Sequence, residues 1–517
     1  MPKQKTDDLV QLIRSLTRSE KRHFRIFVRR NQASDDILFL KLFDFLDKYG
    51  EYDEDRILKK FPDIKKRQLS NLKAHLYKQL LISLRLLNKN HDINTEIREL
   101  IDYARVLYNK GLYRQALDVL SKTKQKAIES ERNLLSLEIV EFEKHIESQY
   151  ITRSIETRAE ELTEESVDIF KKVGHINEYS NLAIQLYGLY LKTGYVRNEK
   201  DYLYVSEFFH SKLPKRKKAE LSFFEELNYH QAHTWYYHII QNFTLCYKHS
   251  QSWVDVFDKH PQMKVHEGPL YLKALHNLLG TLFNLWHYDN FIEKLQNLEQ
   301  LKKEPFVSRT NNAEGLYYLY YYVHHIDRHF MEGTYTEGIK LVDGLVEIIE
   351  SDRYNWDDHR VMLFYYKIAC LYFGSGDNST AIDYLNLIIN QKNPDYREDI
   401  QCFARILNLM AHFELGNERL VEYQIKSVYR FVGKMEDIHE VQREIFRFLR
   451  RTPRMRPSQL KQEFVDLKGR LEKAQDKKFE RRPFLYLDII SWLESKVEQK
   501  TVQEVVREKF LSRKKRG

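Results

Sequence analysis

The chain has 517 residues, of which 42% are hydrophobic and 31% charged, and its formal net charge is +9. A single hydrophobic core stops growing near about 250–300 residues, so this length predicts several domains or a repeat array. No apolar run approaches the roughly 20 residues that cross a bilayer, and the N-terminus lacks the apolar stretch of a secretory signal. We therefore expect a cytoplasmic protein without membrane contact.

Turn-forming residues and cysteines are both scarce. There are 17 Gly and 10 Pro, too few for a β-rich fold, which needs turn residues about every 8–12 positions. The composition therefore predicts an all-α protein. The three cysteines, Cys246, Cys370 and Cys402, are far apart and show neither disulfide nor metal-ligand spacing, so we expect them to be small buried side chains.

The charge is unevenly distributed along the chain. Residues 1–90 carry a net +9, residues 91–446 a net −11 and residues 447–517 a net +11. This asymmetry predicts three parts: a basic N-terminal helical module, an acidic central array and a basic C-terminal helical segment with its tail. Basic ends of this kind are a hint of contact with nucleic acid or with an acidic partner.

In the N-terminal module, Thr17 and Glu20 form a capping-box signature that opens a basic helix. Further helices are predicted over about 35–49, 56–61 and 64–87. The last carries a cluster of cations in its first turns, Lys65, Lys66 and Arg67. A short helix followed by a basic helix resembles a DNA-binding helix-turn-helix, and the cluster is a candidate for phosphate contact. The alternative is a solvated basic face on a module that caps the first repeat.

The central array contains a repeated helix-turn-helix pattern. Between Tyr103 and Leu120 an apolar helix runs into Gly111, an aromatic residue follows at Tyr113, and small residues stand at Ala104 and Ala116. Glycine at the turn can adopt positive φ and end the first helix. Small residues let the two helix axes approach closely, and such hairpins must stack to bury their apolar faces.

The same pattern recurs along residues 95–430. Its turns are predicted at positions 111, 194, 241, 286, 333, 376 and 416, and a degenerate turn near 151–153 fills the one long gap. The units at Gly111 and Gly376 resemble the tetratricopeptide repeat, whose usual period is about 34 residues. The resemblance implies a right-handed superhelical stack of about eight hairpins with helical caps at both ends, and a role in protein–protein assembly.

The C-terminal segment is dense in arginine. Pro453 and Pro457 are expected to break the helix there, and amphipathic helices follow near 460–474 and after Pro483. The candidates for phosphate contact are Arg450, Arg451, Arg454, Arg456, Arg513, Lys514, Lys515 and Arg516. Clusters of this kind bind phosphate backbones through charge. A solubilising tail is the alternative interpretation.

Aromatic runs on first helices are candidates for a partner-binding groove. Consecutive aromatic residues cover every face of a helix, so part of each run must point away from its own hairpin. Tyr and Trp are favoured at recognition surfaces. The groove candidates are Trp235, Tyr236, Tyr317, Tyr318, Tyr321 and His325. The alternative is that these side chains fill the space between long helices.

We find no motif for catalysis or for a cofactor. His325 and His329 have the spacing of a metal-binding pair but no HExxH pattern around them, and no Gly-rich phosphate loop or serine-hydrolase elbow occurs. We therefore expect no enzyme, cofactor or metal. The sequence predicts a binding scaffold that takes a protein or peptide partner in the groove of the array. The alternative is a nucleic-acid- or ribosome-associated regulator that uses the basic ends.

Overall fold

The computed structural model describes residues 7–31, 38–88, 92–149, 157–215, 221–391, 398–432, 440–451, 457–475 and 488–515, with 455, 477, 479–480 and 484 besides. Over this part of the chain the protein is all-α, as predicted. None of these helices is long and apolar enough to cross a membrane. The chain divides into two compact units, residues 1–173 and 174–517. The boundaries predicted at 90 and 446 follow charge rather than packing, and they stay predictions.

The first unit opens with a cluster of helices around one core. These helices are α1 (Asp8–Ser15), α2 (Arg18–Asn31), α3 (Leu38–Tyr49), α4 (Glu54–Lys60) and α5 (Lys66–Asn88). The capping box is confirmed, because the Thr17 amide donates to the Glu20 carboxylate and the Glu20 amide donates to the Thr17 hydroxyl. Apolar side chains at helical spacing, such as Leu42, Phe43 and Leu76, are fully buried between these helices.

The rest of the first unit contains the predicted hairpin at Gly111. Its helices are α6 (Ile93–Asn109) and α7 (Tyr113–Glu129), followed by α8 (Asn133–Gln149) and the start of α9 (Arg158–Thr193). Ala104 and Ala116 are 0% exposed where α6 and α7 pack together, which is the role expected of small residues at a helix crossing. The turn predicted at 151–153 lies outside the described residues.

The second unit begins within α9 and continues as a run of helices packed in chain order. Their bounds are α10 (Glu199–Lys212), α11 (Phe223–Ile239), α12 (Phe243–Lys259), α13 (Pro261–His266), α14 (Gly268–Leu285), α15 (Tyr288–Gln300), α16 (Pro305–Arg309), α17 (Asn311–Glu332), α18 (Tyr335–Ile339), α19 (Val342–Ser351), α20 (Asp358–Ser375), α21 (Asn378–Ile389), α22 (Glu398–Glu414) and α23 (Glu418–Val432). The pairs α11/α12, α14/α15, α20/α21 and α22/α23 pack together as helical hairpins.

The predicted turns are confirmed by backbone conformation. Positions 111, 194, 241, 286, 333, 376 and 416 all have positive φ, between 57° and 96°. Five of these residues are glycine, which adopts this conformation without steric cost. The other two are Gln241 and Trp286. In these hairpins the residue with positive φ lies at the end of the first helix, where it turns the chain into the second helix.

The long period of the repeat has two sources. Its spacing, which exceeds the roughly 34 residues of a tetratricopeptide unit, predicts helices a turn or two longer than those of that unit, and α11 and α12 have 17 residues each, α14 has 18 and α17 has 22. In addition, the short helix α13 separates the hairpin α11/α12 from α14, and a 3₁₀ turn (Leu301–Lys303) and α16 separate α15 from α17. These insertions carry Pro261 and Pro305 at their first turns, where proline starts a helix without losing a hydrogen bond.

The C-terminal segment packs into the same core as the preceding hairpins. Its helices are α24 (Glu440–Arg451), α25 (Pro457–Gln475), α26 (Ile489–Glu498) and α27 (Val502–Lys514). A new helix thus begins at Pro457, while Pro453, the other proline expected to break the helix, lies outside the described residues. Trp492 is 1% exposed, shares a core with side chains of α20 and α22, and donates its indole N–H to the Glu414 carboxylate at 2.7 Å.

Candidate binding surface

Three first helices of consecutive hairpins, α14, α17 and α20, lie side by side in the second unit. Polar side chains link them across their length. His276 of α14 contacts His324 of α17 through a hydrogen bond of 2.8 Å between Nδ1 and Nε2. Asp327, one turn further along α17, forms an ion pair with Lys367 of α20. We call the common side of these helices the α14/α17/α20 face.

The linked polar groups form a continuous chain beneath this face. Nδ1 of His324 lies 3.3 Å from a carboxylate oxygen of Asp327, an ion-pair distance without hydrogen-bond alignment. His324 is 0% exposed and Asp327 is 3% exposed. If the proton of His324 faces the carboxylate, its Nε2 accepts and His276 donates. Each group of the chain then has a partner in the neighbouring helix.

Burial and mutual charge set the protonation of this chain. Burial lowers the pKa of His276 well below its usual value, and the nearby positive charges act in the same direction. Burial also lowers the pKa of His324, and Asp327 only partly opposes it. Burial alone would raise the pKa of Asp327, but Lys367 and His324 outweigh it and the pKa falls. At neutral pH these linked polar groups therefore comprise two neutral imidazoles and one buried ion pair.

A second set of cations lies at the other end of the face, near the starts of α14 and α20. Burial lowers the pKa of Lys273, and the charge of Arg360 lowers it further. Among the described residues the Lys273 ammonium has no hydrogen bond or ion pair, and its nearest aromatic contact is the Tyr187 ring at 5.7 Å. Tyr320 stacks on His276 at 4.1 Å and also feels the charge of Arg360.

The middle of the face is open along α14. Gly280 lies two helical turns beyond Lys273 and one turn before Asn284, so these three positions share one side of the helix. A Cβ built at Gly280 would meet no atom within 4 Å. The face is therefore uncovered at this point, between the cations at one end and an aromatic cleft at the other.

The cleft has a volume of about 440 Å³ and begins where the first helices end. Lys367 connects it to the polar chain, because its ammonium lies 5.4 Å from the Phe330 ring centroid and 5.9 Å from that of Phe283. A cleft of this size with an apolar lining and a few polar groups is typical of binding sites. Its walls include Tyr190, Phe283, Asn284, Trp286, Phe330, Leu363, Lys367 and Cys370, and on the far side Val502, Val506, Lys509 and Arg513.

The far wall of the cleft is α27, which docks at the turn ends of two hairpins. Phe510 packs edge-on against Tyr288 at 4.7 Å, and the Arg513 guanidinium lies 4.3 Å from the Trp286 ring. Arg507 donates to the Glu332 carbonyl at 3.1 Å. The amphipathic C-terminal helix is thus held by aromatic rings and by backbone groups of the turns.

The aromatic groove candidates on α11 lie within packed structure. Trp235 is 8% exposed and packs between Tyr187 at 4.8 Å and Tyr190 at 5.4 Å. Tyr236 is 4% exposed and stacks on Phe209 at 4.0 Å. Both rings therefore contribute to the hydrophobic core around α9, α10 and α11.

The groove candidates on α17 pack against one another and against side chains outside that helix. Tyr317 is 2% exposed and stacks with Tyr321, whose ring lies 4.1 Å from that of His325. His325 faces Glu299 at 3.1 Å. In a separate contact, Tyr318 stacks on Tyr354 at 5.8 Å. The role of these residues in partner binding stays a prediction. In the same aromatic run, Tyr320 is the residue that contacts His276.

The basic candidates of the first unit are exposed at the start of α5. Lys66 forms an ion pair of 3.1 Å with Glu54, while Lys65 and Arg67 are exposed beside it without an ion pair among the described residues. Glu54 lies in the first turn of the neighbouring helix α4 and therefore reduces the net charge of the cluster. Phosphate contact by this cluster stays a prediction.

Several basic candidates of the second unit have partners within the chain. Arg451 lies 3.8 Å from Glu463, Arg513 stacks over Trp286, and Lys514 lies 5.7 Å from the Tyr288 ring. Arg450 and Lys515 are exposed. The remaining candidates, Arg454, Arg456 and Arg516, lie outside the described residues.

Sequence reasoning missed the residues that the structure brings together on the α14/α17/α20 face. Lys273 and Arg360 are single cations within apolar helices, and isolated charges at such positions are usually solvated. A usable signal was present in the spacing, because Lys273 and Gly280 are seven apart, as are Arg360 and Lys367, which places each pair on one helix side.

The described residues contain no group of three or more His, Cys, Asp or Glu side chains arranged to hold a metal ion. The chain matches no known family, no curated protein and no solved structure.

Proposed function

We propose that the protein is a non-enzymatic binding scaffold that holds a protein or peptide partner against the α14/α17/α20 face. The observation that carries this proposal is the open strip at Gly280, where a side chain would meet no atom within 4 Å. Polar and aromatic groups stand on both sides of the strip. Stacked helical hairpins offer extended surfaces of this kind to partner segments.

The dimensions and chemistry of the face suit an extended or helical segment. The distance along α14 from Lys273 to Asn284 is about 16 Å at a rise of about 1.5 Å per residue, which matches roughly five residues of an extended strand. The aromatic cleft supplies an anchor for an apolar side chain, and recognition surfaces concentrate their binding energy in such anchors. The chain's own helix α27 already packs against aromatic rings at one side of the cleft.

A blocking substitution tests the proposal. Gly280→Phe places a large side chain in the open strip, and Gly469→Phe is the matched control, because a Cβ at Gly469 of α25 also meets nothing within 4 Å. Tagged full-length protein and both variants would be used to capture partners from nuclease-treated lysate of the source cells. We expect wild type and Gly469→Phe to retain the same defined protein and Gly280→Phe to lose it. Equal capture by all three proteins would show that the partner does not bind on the α14/α17/α20 face.

The second function predicted from the sequence, phosphate-backbone binding through the basic ends, has less support. Lys66, Arg451, Arg513 and Lys514 all have partners within their own unit. If the captured material is nucleic acid that nuclease removes, this alternative is favoured. Its affinity would then fall steeply with salt concentration.

A further inference from the structure

The cleft between the turn ends of the hairpins and α27 is walled by aromatic rings. Phe283 of α14 and Phe330 of α17 both lie near the Lys367 ammonium, at 5.9 and 5.4 Å from their centroids. Trp286, at the end of α14, lines the same cleft and is 39% exposed. A volume of about 440 Å³ is within the range of small-molecule sites, and aromatic walls favour a flat ring.

Trp286 stands at a backbone position that suits glycine better. Its φ is +57° and its ψ is 30°, a left-handed conformation that bulky side chains rarely adopt. Five of the seven predicted turns have glycine at this point. Residues held in such conformations cluster at sites where the side chain is needed for binding. Because the Trp286 ring lines the cleft and stacks with Arg513, we attribute the tryptophan at this turn to the cleft.

The cations that line the cleft differ in their counter-ions. Lys367 forms an ion pair with Asp327. Lys509 forms an ion pair with Glu494. Arg513 is exposed, and its partner among the described residues is the uncharged Trp286 ring, 4.3 Å from the guanidinium, rather than a carboxylate. A guanidinium stacked on a ring can still donate from its edge, because its N–H groups lie in its own plane.

The carboxylate in the lining of the cleft is engaged elsewhere. Asp488 caps α26, where it accepts hydrogen bonds from the Ser491 amide at 3.0 Å and from the Ser491 hydroxyl at 2.6 Å. Within the described residues the cleft therefore combines aromatic walls with one guanidinium that has no carboxylate partner.

From these contacts we infer that the cleft binds a small aromatic acid, with its ring among the aromatic walls and its carboxylate on Arg513. A guanidinium can donate to both oxygens of one carboxylate, which fixes the orientation of the ligand. The inference goes beyond the proposed function, because the ligand is a free small molecule and not a segment of the partner. Since the proposed function places an apolar anchor of the partner in the same cleft, the acid would compete with that anchor.

The test uses full-length protein and two matched probes, naphthylacetate and the uncharged naphthylacetamide, titrated calorimetrically at constant ionic strength. Arg513→Gln removes the charge. Arg105→Gln is the control, since Arg105 of α6 is also exposed and also stacks on a ring, that of Phe142 at 4.6 Å. We expect wild type and Arg105→Gln to bind the acid at least about tenfold more tightly than the amide, and Arg513→Gln to bind both about equally.

A thiol in the unsubstituted protein reports where the probe binds. Cys370 lines the cleft and is partly exposed, whereas Cys246 and Cys402 are 0% exposed. Burial raises the pKa of the Cys370 thiol to about 12, so its reaction with iodoacetamide is slow and can be followed by mass spectrometry. We expect naphthylacetate to slow the labelling of Cys370 in proportion to the occupancy of the cleft.

Each outcome decides the inference. Tighter binding of the acid that depends on Arg513 and protects Cys370 supports it. Equal affinity of wild type for acid and amide, or unchanged affinity for the acid in Arg513→Gln, overturns the contact between the carboxylate and Arg513. Absence of binding by both probes, or binding of the acid without protection of Cys370, overturns the site itself.

Discussion

The turn at Gly333 and the backbone of Arg507 are in direct contact. A Cβ at Gly333 would lie 2.5 Å from the backbone nitrogen of Arg507, closer than real Cβ atoms approach. Gly333 also has a φ of +63°. The end of α17 and the C-terminal helix α27 are therefore fitted to each other at a point where only glycine has room.

This contact predicts that Gly333→Ala loosens α27. The substitution adds a steric clash to backbone strain, and we expect it to release the C-terminal helix to limited proteolysis. Gly416→Ala is the matched control, because Gly416 has a φ of +70° but open space around its Cβ. Strain alone costs about 1 kcal/mol. Equal protease resistance of the two variants would show that α27 is not held at this turn.

Gly280→Ala is expected to stabilise the folded protein. Gly280 lies inside α14 with no neighbour within 4 Å of its Cβ, so alanine lowers the entropic cost of the helix without a clash. We expect a gain of about 0.5–1 kcal/mol in the free energy of unfolding, measured by urea denaturation. Gly268→Ala, at the start of the same helix, should destabilise the protein, since its Cβ would fall 2.1 Å from the Phe306 ring.

The ion pair between Asp327 and Lys367 should be sensitive to loss of one partner. Asp327→Asn leaves the Lys367 ammonium without its counter-ion, and breaking a buried pair in this way costs about 3–5 kcal/mol. We expect a large fall in the urea midpoint. The double variant Asp327→Leu/Lys367→Met removes both charges and should recover most of the loss. A double variant as unstable as Asp327→Asn would mean that the pair is not what stabilises this region.

The buried imidazoles predict a pH dependence of stability. His276 and His324 have lowered pKa values in the folded protein, whereas unfolded histidine titrates near about 6.5. Below that pH the unfolded chain binds protons that the folded chain does not. The free energy of unfolding should therefore fall as the pH drops below about 6.5, by at most about 1.4 kcal/mol per pH unit for each imidazole. Replacing both residues by Gln should flatten this slope, and an unchanged slope would contradict the assignment.

Much of the hairpin pattern could be predicted from local sequence. Gly111, Gly194 and Gly376 mark turns because glycine tolerates positive φ, and apolar spacing around them indicates the flanking helices. Trp286 also adopts positive φ, and its position was found only through the repeat of neighbouring apolar residues. Local rules therefore identify the turns of the array.

The candidate binding surface could not be predicted in the same way. The contacts of His276 with His324 and of Gly333 with Arg507 join residues 48 and 174 positions apart, and no local pattern specifies such distances. The aromatic run on α17 was correctly seen to cover several helix sides. Which side meets the polar chain depends on the packing of α14 and α20, and this leaves Tyr320 rather than Tyr317 beside His276.

Site-specific cross-linking can show directly whether a partner binds along the open strip of α14. A benzophenone side chain would be incorporated at Gly280 in the full-length protein, and at Gly469 as the control, since both positions have open space. The protein would then be irradiated with its captured partner. We expect a covalent adduct with the partner from position 280 and none from position 469. An adduct from 469 alone, or from neither position while the partner remains bound, would contradict a binding site on the α14/α17/α20 face.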